Sequence, residues 1–229
     1  MSLERPLMGQ TNKQLKRIGI VAGGPIERLV NLADYEIDYW IGCDRGALYL
    51  LNNNINPNLA IGDFDSVDEE EFKVIKSATE NIQIHPIEKD LTDLELAINA
   101  ALELNAENLF LFGVTGGRKD HELNSIFLLE RMIDLDLKVK IVDQQNMISM
   151  YHPGQYQINH SELYPKVSFI PLTKQVSGLS LMHFYYPLTN QTINRGESLT
   201  ISNHLIDQTG HFSFDSGILI VIKSSEQSD

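Results

Sequence analysis

The 229-residue sequence has little cysteine and few basic residues. Cys43 has no second cysteine with which to form an internal disulfide or a thiolate metal site, so we expect a buried side chain and a reducing compartment, the cytoplasm. Lysine and arginine number 18 against 31 acidic residues, which gives a net charge of −13. Nucleic acid and anionic membranes both need a basic face, so this balance argues against either as a partner.

Long hydrophobic runs are also missing. No apolar stretch approaches the ~18 residues that span a bilayer, and residues 1–14 are too polar for the hydrophobic part of a secretory signal. Internal repeats and low-complexity segments are absent from the sequence. The hydrophobic content of 42% is ample for a packed core, so the sequence predicts a globular protein.

Two kinds of pattern divide the chain near residue 145. Up to Asp143, apolar runs alternate with helical periodicity, as in a mainly parallel sheet with flanking helices. Those predicted strands are residues 18–22, 39–41, 59–61, 108–112 and 138–142. Later short runs, separated by turn residues, include 166–170, 199–201 and 217–222. We therefore predict an α/β domain over residues 1–145 and an antiparallel β-sandwich domain over residues 146–229.

A pair of aspartates follows the third predicted strand. One residue separates Asp63 from Asp65, and Ser66 with Glu69 is predicted to form a capping box that opens the next helix. In an open α/β sheet, such a strand-to-helix turn lies at the edge where ligands bind. Two carboxylates there suit a hard divalent cation, so we predict a metal site; an Asp-rich turn with ordinary capping is the alternative.

Two other turns at the same predicted edge carry glycine, acid or base. Gly23 and Gly24 follow the first strand and could let phosphate approach the backbone, although a plain turn explains them equally well. Asp44 and Arg45 follow the second strand, where a surface ion pair is the alternative to a ligand contact.

The stretch before the next helix is denser in charge. Thr92 with Glu95 is predicted to cap that helix, which places Asp93 in its first turn. The helix macrodipole favours an anion there in any case. If Asp93 has a functional role, it would be a third carboxylate ligand of the metal, and Lys89 would face phosphate.

The most specific stretch runs from Gly113 through Gly116 and Gly117. Together with Thr115 and Arg118, these glycines stand at a helix entrance and form a natural anion cradle. The inward residues of the following helix are predicted to be Ile126, Leu129 and Ile133.

Taken in order, these turns resemble the motifs of the thiamine pyrophosphokinase family. The matching segments are Gly23-Gly24-Pro25, Asp44-Arg45-Gly46-Ala47, Gly62-Asp63-Phe64-Asp65-Ser66, residues 89–93 and residues 113–121, with C-terminal counterparts at 178–180, 186–188, 202–203 and 212–217. The resemblance spans nearly the whole chain. It implies an enzyme that uses Mg²⁺ to transfer the terminal pyrophosphate of ATP to the hydroxyl of thiamine, releasing AMP. It also implies a homodimer whose thiamine pocket combines the α/β domain of one subunit with the β-domain of the other.

The resemblance further implies roles for individual residues in phosphate chemistry. The metal carboxylates would be Asp63, Asp65 and Asp93, and Arg118 with Asp120 would form the substrate-contacting pair. Either Asp65 or Asp120 could accept the thiamine hydroxyl proton, and the sequence does not choose between them. Substrate and nucleotide contacts would also come from Gly23, Gly24, Asp44, Arg45, Lys89, Thr115, Gly116, Gly117, Ser202 and Asn203.

The thiamine contacts of the β-domain would be Ser180 and Tyr186. Animal members of the family carry tryptophan at the aromatic position, whereas this chain has Phe184, Tyr185 and Tyr186 in a row. The sequence leaves open which of the three faces thiamine. A cationic thiazolium is attracted both to an aromatic face and to an acidic cleft, so thiamine suits the surplus of acid.

Two other functions are compatible with parts of the pattern. In a haloacid-dehalogenase-type phosphatase, Asp63 would be the nucleophile, but two strands precede the motif and the later turns carry glycine and Arg118 instead of acids. A non-catalytic thiamine or nucleotide sensor would not need three metal-type carboxylates beside a phosphate cradle.

Overall fold

The computed structural model describes residues 17–86, 88, 90–135 and 137–226. The chain divides into two compact units, with the boundary between Gln144 and Gln145. Within the described residues, no helix combines the length and apolar character that crossing a membrane requires.

The first unit alternates strands with helices. Its strands are β1 (Arg17–Val21), β2 (Tyr39–Cys43), β3 (Leu59–Gly62), β4 (Asn81–Ile84), β5 (Asn108–Phe112) and β6 (Lys138–Val142). Its helices are α1 (Arg45–Asn52), α2 (Glu69–Ala78), α3 (Asp93–Glu103) and α4 (Lys119–Ile133), with 3₁₀ turns at Ile26–Arg28 and Leu32–Asp34. These strands pair in parallel in the order β6-β5-β1-β2-β3-β4, which confirms the predicted α/β fold.

Burial explains which strands the sequence revealed. After its first residue, each of β1, β2 and β5 is buried, so these strands appear in the sequence as nearly continuous apolar runs. The strand that sequence analysis missed, β4, lies at the sheet edge and is mostly exposed. Its Asn81 and Gln83 interrupt the apolar pattern because they face solvent.

The order of the strands creates a crevice at one point of the sheet. From β1 the chain proceeds outward through β2, β3 and β4, whereas β5 and β6 continue on the other side of β1. The loops that follow β1 and β5 therefore diverge at the carboxyl ends of two neighbouring strands. Open α/β sheets bind their ligands at such switch points.

Two capping boxes set the starts of α2 and α3. The predicted Thr92–Glu95 box is present at α3. The predicted Ser66–Glu69 box is wrong: Asp68 caps α2 and pairs reciprocally with Glu71, so the helix starts two residues later than expected. The sequence contains both alternatives, and the structure selects the one with two carboxylates because Asp caps a helix at least as well as Ser.

The buried side of α4 also differs from the prediction. Its buried residues are Ser125, Leu128, Leu129 and Met132. Ile126 and Ile133 are only partly buried, so the apolar stripe is rotated from the predicted one. Leu123 and Phe127 are about half exposed, which leaves apolar surface on this helix.

The second unit consists of two antiparallel sheets. Its strands are β7 (Asn146–Tyr151), β8 (Gly154–Asn159), β9 (Lys166–Pro171), β10 (Gln175–Met182), β11 (Leu188–Asn194), β12 (Asn203–His204), β13 (Thr209–Phe214) and β14 (Leu219–Ser224). Four of its strands are hydrogen-bonded side by side in the order β12-β9-β14-β7, and the other four form a separate four-stranded sheet in the order β11-β10-β13-β8. Inward residues of both sheets form one core, which includes Phe169, Leu181, Phe212 and Leu219. The predicted antiparallel sandwich is confirmed.

One predicted strand of the second unit is wrong. Residues 199–201 form a turn, in which the Thr200 hydroxyl donates to the Phe169 carbonyl. The Phe169 amide in turn donates to the Thr200 carbonyl at 3.0 Å. The segment has a β-prone composition, which misled the prediction. Its Thr200 forms hydrogen bonds with the backbone of Phe169 in β9, but the segment does not continue as a strand.

Candidate active site

A cleft of about 430 Å³ lies at the switch point of the parallel sheet. The loops after β1, β2 and β5 form its walls together with the first turns of α3 and α4. The predicted residues that line it are Gly23, Gly24, Asp44, Asp93, Thr115, Gly117 and Arg118. Turns that are up to 95 residues apart in the sequence are thus brought to one place.

Asp44 occupies an unusual backbone position at the floor of the cleft. Its φ of 47° and ψ of −119° are rarely adopted by a residue with a side chain. The carboxylate oxygen Oδ1 accepts a hydrogen bond of 2.9 Å from the Phe64 amide. A Cβ at Gly62 would lie 1.8 Å from that oxygen, so only glycine fits there. Asp44 therefore anchors the loop that carries Asp63 and Asp65.

Asp44 lies close to other acids, of which Asp93 lines the cleft and Asp63 does not. The pKa of Asp44 is raised to about 6, chiefly by burial; the charges of Asp93 and Asp63 act in the same direction, and the hydrogen bond from the Phe64 amide opposes them. Asp44 and Asp93 also share a side-chain hydrogen bond. Asp63 is partly buried and Asp65 exposed, and the Asp65 amide donates to Asp63 Oδ1 at 3.0 Å.

We expect the Asp44→Asn variant to be more stable than the natural protein in metal-free buffer at pH 8. The folded state binds the Asp44 proton more tightly than the unfolded state, so stability falls as pH rises from about 4 to about 6 and stays lower above that range. Asn keeps the acceptor for Phe64 and lacks the charge. Allowing for partial exposure, the gain should be about 1–2 kcal/mol at pH 8 and smaller at pH 5. Denaturant unfolding with EDTA at both pH values measures it, and a gain that does not grow with pH would contradict this account.

The donor chemistry of the cleft fits a hard divalent cation. All the acidic groups are carboxylates, which Mg²⁺ and Ca²⁺ prefer, and the repulsion around Asp44 would be relieved by a positive charge. As they stand, the described side chains include no group of three His, Cys, Asp or Glu that is already arranged to hold an ion. The cleft thus gathers suitable ligands without forming a finished coordination shell.

The two glycine turns pack against each other. The Gly24 amide donates to the Gly113 carbonyl at 2.8 Å, and a Cβ at Gly24 would lie 2.4 Å from that oxygen. A Cβ at Gly113 would lie 2.3 Å from the Ala22 carbonyl. Both glycines line the cleft; Gly24 also serves backbone packing, and Gly23 has more room.

Buried and charged groups support the glycine turn after β5. The Thr115 hydroxyl donates to the buried Asp143 carboxylate at 2.6 Å, which ties the turn to the end of β6. The Gly116 amide donates to Glu122 Oε2 at 3.1 Å, and Lys119 contacts the same carboxylate at 2.9 Å. Gly116 itself does not line the cleft, and its backbone amide already binds an internal anion.

Arg118 and Asp120 form a forked ion pair at the start of α4. The guanidinium donates through Nε at 3.2 Å and through Nη2 at 2.6 Å. The side-chain hydrogen bond from Arg118 lowers the pKa of Asp120, and the His121 amide donates to the same carboxylate. Arg118 lines the cleft, and its side chain is mostly exposed. Asp120 does not line the cleft but holds the Arg118 guanidinium through the ion pair.

Arg45 braces a loop and does not line the cleft. Its guanidinium donates to the Ser66 carbonyl, through Nε at 3.0 Å and also through Nη2, and contacts Glu71 at 3.4 Å. Lys89 falls outside the described residues. Sequence analysis missed Asn124 and Ser125, which line the cleft one turn after His121; their i+3 and i+4 spacing from it was the available signal.

The second unit places the three neighbouring aromatic residues differently. Phe184 is 2% exposed and packs on Phe169 in the sandwich core, so it cannot face a ligand. Tyr185 and Tyr186 are 57% and 58% exposed, with their rings 4.9 Å apart and nearly perpendicular. Tyr185 stacks on His204 at 4.7 Å. Tyr186 is therefore exposed and meets Tyr185 edge-on, whereas Tyr185 is stacked face to face on His204.

The other predicted residues of this unit have different environments. Ser180 lines an open groove of about 340 Å³, and its hydroxyl accepts from the Asn190 amide at 2.9 Å. The lining of that groove does not include Tyr186. Ser202 is exposed, with its amide donating to Ser168 Oγ. Asn203 is buried, and its side chain bonds backbone groups.

Comparison with known proteins agrees with this arrangement. Residues 31–141 match the thiamin pyrophosphokinase catalytic domain, and residues 155–219 match the thiamin pyrophosphokinase vitamin B1 binding domain. The chain is 43% identical to a thiamine pyrophosphokinase of Bacillus subtilis over 93% of its own length and 100% of that relative. The crystal structure of a thiamine pyrophosphokinase from Bacillus subtilis superposes with a TM-score of 0.88 at 42% identity, covering 93% of this chain and 100% of that one. A Geobacillus thermodenitrificans thiamin pyrophosphokinase gives a TM-score of 0.85 at 42% identity, covering 93% and 99%.

These matches confirm the family resemblance and do not favour the phosphatase or the sensor. Because both family domains match this chain, and because it is 43% identical to a relative that it covers over its full length, the protein belongs to the thiamin pyrophosphokinase family of transferases.

Proposed function

We propose that the protein transfers the terminal pyrophosphate of ATP to the hydroxyl of thiamine in the cleft of the α/β unit. The observation that carries this proposal is the convergence of acids and glycine turns with Arg118 at the switch point. Acids suit metal-bound polyphosphate, and backbone amides with a guanidinium suit the phosphates themselves. The thiamine oxygen attacks the β-phosphorus, the bond from that phosphorus to the oxygen shared with the α-phosphorus breaks, and AMP leaves with that oxygen.

The metal assignment belongs to this proposal. Mg²⁺, when bound, would neutralise charge on the polyphosphate. Asp63, Asp65 and Asp93 would hold it, and Asp44 would keep their loop in place through its bond to Phe64. The crowding of carboxylates around Asp44 supports a cation at this point of the cleft.

The positions of Arg118 and Asp120 support a division of roles. Arg118 lines the cleft, where its guanidinium can bind the transferring phosphate, and the fork from Asp120 fixes its orientation. Asp120 is thus assigned the orientation of Arg118, which also lowers the pKa of this carboxylate.

We further propose a homodimer with a shared thiamine site. Each unit exposes large apolar side chains close to predicted site residues. In the α/β unit these are Leu123 and Phe127 on α4, and in the β unit they are Tyr185 and Tyr186 after β10. Such exposed side chains suit a partner surface. Tyr186 would stack on thiamine bound at the cleft of the other subunit, with Ser180 and Ser202 contributing from the same unit. A cytoplasmic setting is part of the proposal, and a sequence with one cysteine, the buried Cys43, supports it.

Product analysis tests the reaction. With γ-labelled ATP, Mg²⁺ and thiamine, we expect AMP in stoichiometric amount and the label in thiamine diphosphate. Without thiamine, AMP should not accumulate. Stoichiometric ADP would show attack at the γ-phosphorus, and inorganic phosphate would support a phosphatase, so either product would overturn the proposal.

A further inference from the structure

The backbone of Tyr186 is held by a side chain where the strand ladder has ended. The last bridge before it joins Phe184 to Leu205, and β11 begins only at Leu188. Asn203 fills this gap: its Oδ1 accepts from the Tyr186 amide at 3.1 Å, and its Nδ2 donates to the Tyr186 carbonyl at 2.9 Å. One amide side chain thus supplies both bonds that a neighbouring strand would normally provide.

Asn203 is itself fixed on every side. It is 2% exposed and belongs to β12, which pairs with β9 through Val167. Its Oδ1 also accepts from the His204 amide at 2.9 Å. Both lone pairs of Oδ1 are therefore engaged by backbone amides, and Nδ2 gives one hydrogen to the Tyr186 carbonyl, so this buried side chain is directed at the backbone.

We propose that Asn203 is a positioning residue that sets the direction of the Tyr186 ring for the aromatic part of the substrate. The inference rests on the proposed role of Tyr186 at thiamine. An exposed residue without ladder bonds would sample several backbone conformations, and each would point the ring elsewhere. The two hydrogen bonds between Asn203 and the Tyr186 backbone, here called the clamp, remove that freedom before substrate arrives. This lowers the entropic cost of stacking. The neighbouring Tyr185 is held separately, because its backbone amide donates a hydrogen bond to the His204 carbonyl.

A double-mutant cycle on the dimeric enzyme tests the clamp. Asn203→Ala is expected to raise the KM for thiamine about tenfold, through the loss of two hydrogen bonds that orient the ring, while the KM for ATP stays within about twofold. Tyr186→Ala should raise the KM for thiamine by a similar factor. In the Tyr186→Ala background, Asn203→Ala should add less than about twofold, because the residue acts through the ring. Asn203→Ser, which retains a small polar group, serves if the alanine variant does not fold.

Thr200→Val is the matched control. Thr200 is as buried as Asn203 and makes a side-chain bond to the Phe169 carbonyl in the same unit. Its loss should lower the thermal midpoint without changing the KM for thiamine. If Asn203→Ala behaves like this control, or if its effect persists undiminished in the Tyr186→Ala background, the clamp is overturned. If Tyr186→Ala alone leaves the KM for thiamine unchanged, the fault lies with the proposed thiamine contact.

Discussion

Asp65→Asn is expected to lower turnover at least about a hundredfold with little change in the thermal midpoint. The substitution keeps the shape of the side chain and removes the charge that a metal ligand and proton acceptor needs. Asp65 is exposed on the turn after β3, so its replacement leaves the core intact. Turnover at saturating Mg²⁺ and a thermal unfolding curve give the two readings.

Asp68→Asn is the matched control for that variant. Asp68 lies three residues further along the same loop, where its carboxylate accepts from the Glu71 amide and caps α2. Asn caps helices about as well as Asp, so activity and stability should stay close to those of the natural protein. Near-normal turnover of Asp65→Asn at saturating Mg²⁺ would show that Asp65 is neither a ligand nor the base.

Mixing the inactive Asp63→Asn variant with the weakly active Tyr186→Ala variant should raise activity to about a quarter of the natural level if the thiamine site is shared between subunits. Asp63→Asn damages the α/β unit and Tyr186→Ala the β unit. In a mixed dimer, one site then carries both lesions and the other carries neither. Random exchange makes about half of the dimers mixed, each with one intact site of two. The assay uses thiamine well below the KM of the Tyr186 variant.

A second mixture provides the control for this experiment. Asp63→Asn and Arg118→Ala both damage the α/β unit, so each site of their mixed dimer carries one lesion and activity should not recover. Subunit exchange is verified separately with tagged protomers. If exchange occurs and the first mixture stays as inactive as its components, each site is built within one subunit and the proposed shared pocket is wrong.

Sequence analysis performed well where the determining interactions are local. The Thr92–Glu95 capping box lies within one turn of chain, and the apolar runs of β1 and β5 follow from burial along the strand. The box at α2 was misplaced because two overlapping cap signals exist there and local rules do not rank them. The exposed edge strand β4 lacks the apolar run that local rules detect.

The site shows the same division between local and distant causes. Glycine, acid and arginine motifs indicated where phosphate chemistry belongs, since each turn has a chemical character of its own. The contacts of Arg45 with Ser66 and of Gly24 with Gly113 join different loops, so no single motif reveals them. Both residues were predicted to bind ligand; Arg45 holds the loop after β3 and does not line the cleft, whereas Gly24 packs on Gly113 and also lines the cleft.

By itself, then, the sequence determined the fold class, the two-part pattern and the family, because periodicity, caps and motif order are properties of short segments. Only the tertiary structure decided that Phe184 lies in the core while Tyr185 and Tyr186 face outward, and that Asn203 clamps Tyr186. It also raised the pKa of Asp44, by burying that side chain in part and by bringing the charges of Asp93 and Asp63 close to it. The physical reason is that these contacts join residues distant in the sequence. They depend on which strands and loops become neighbours, and that follows from the packing of the whole chain.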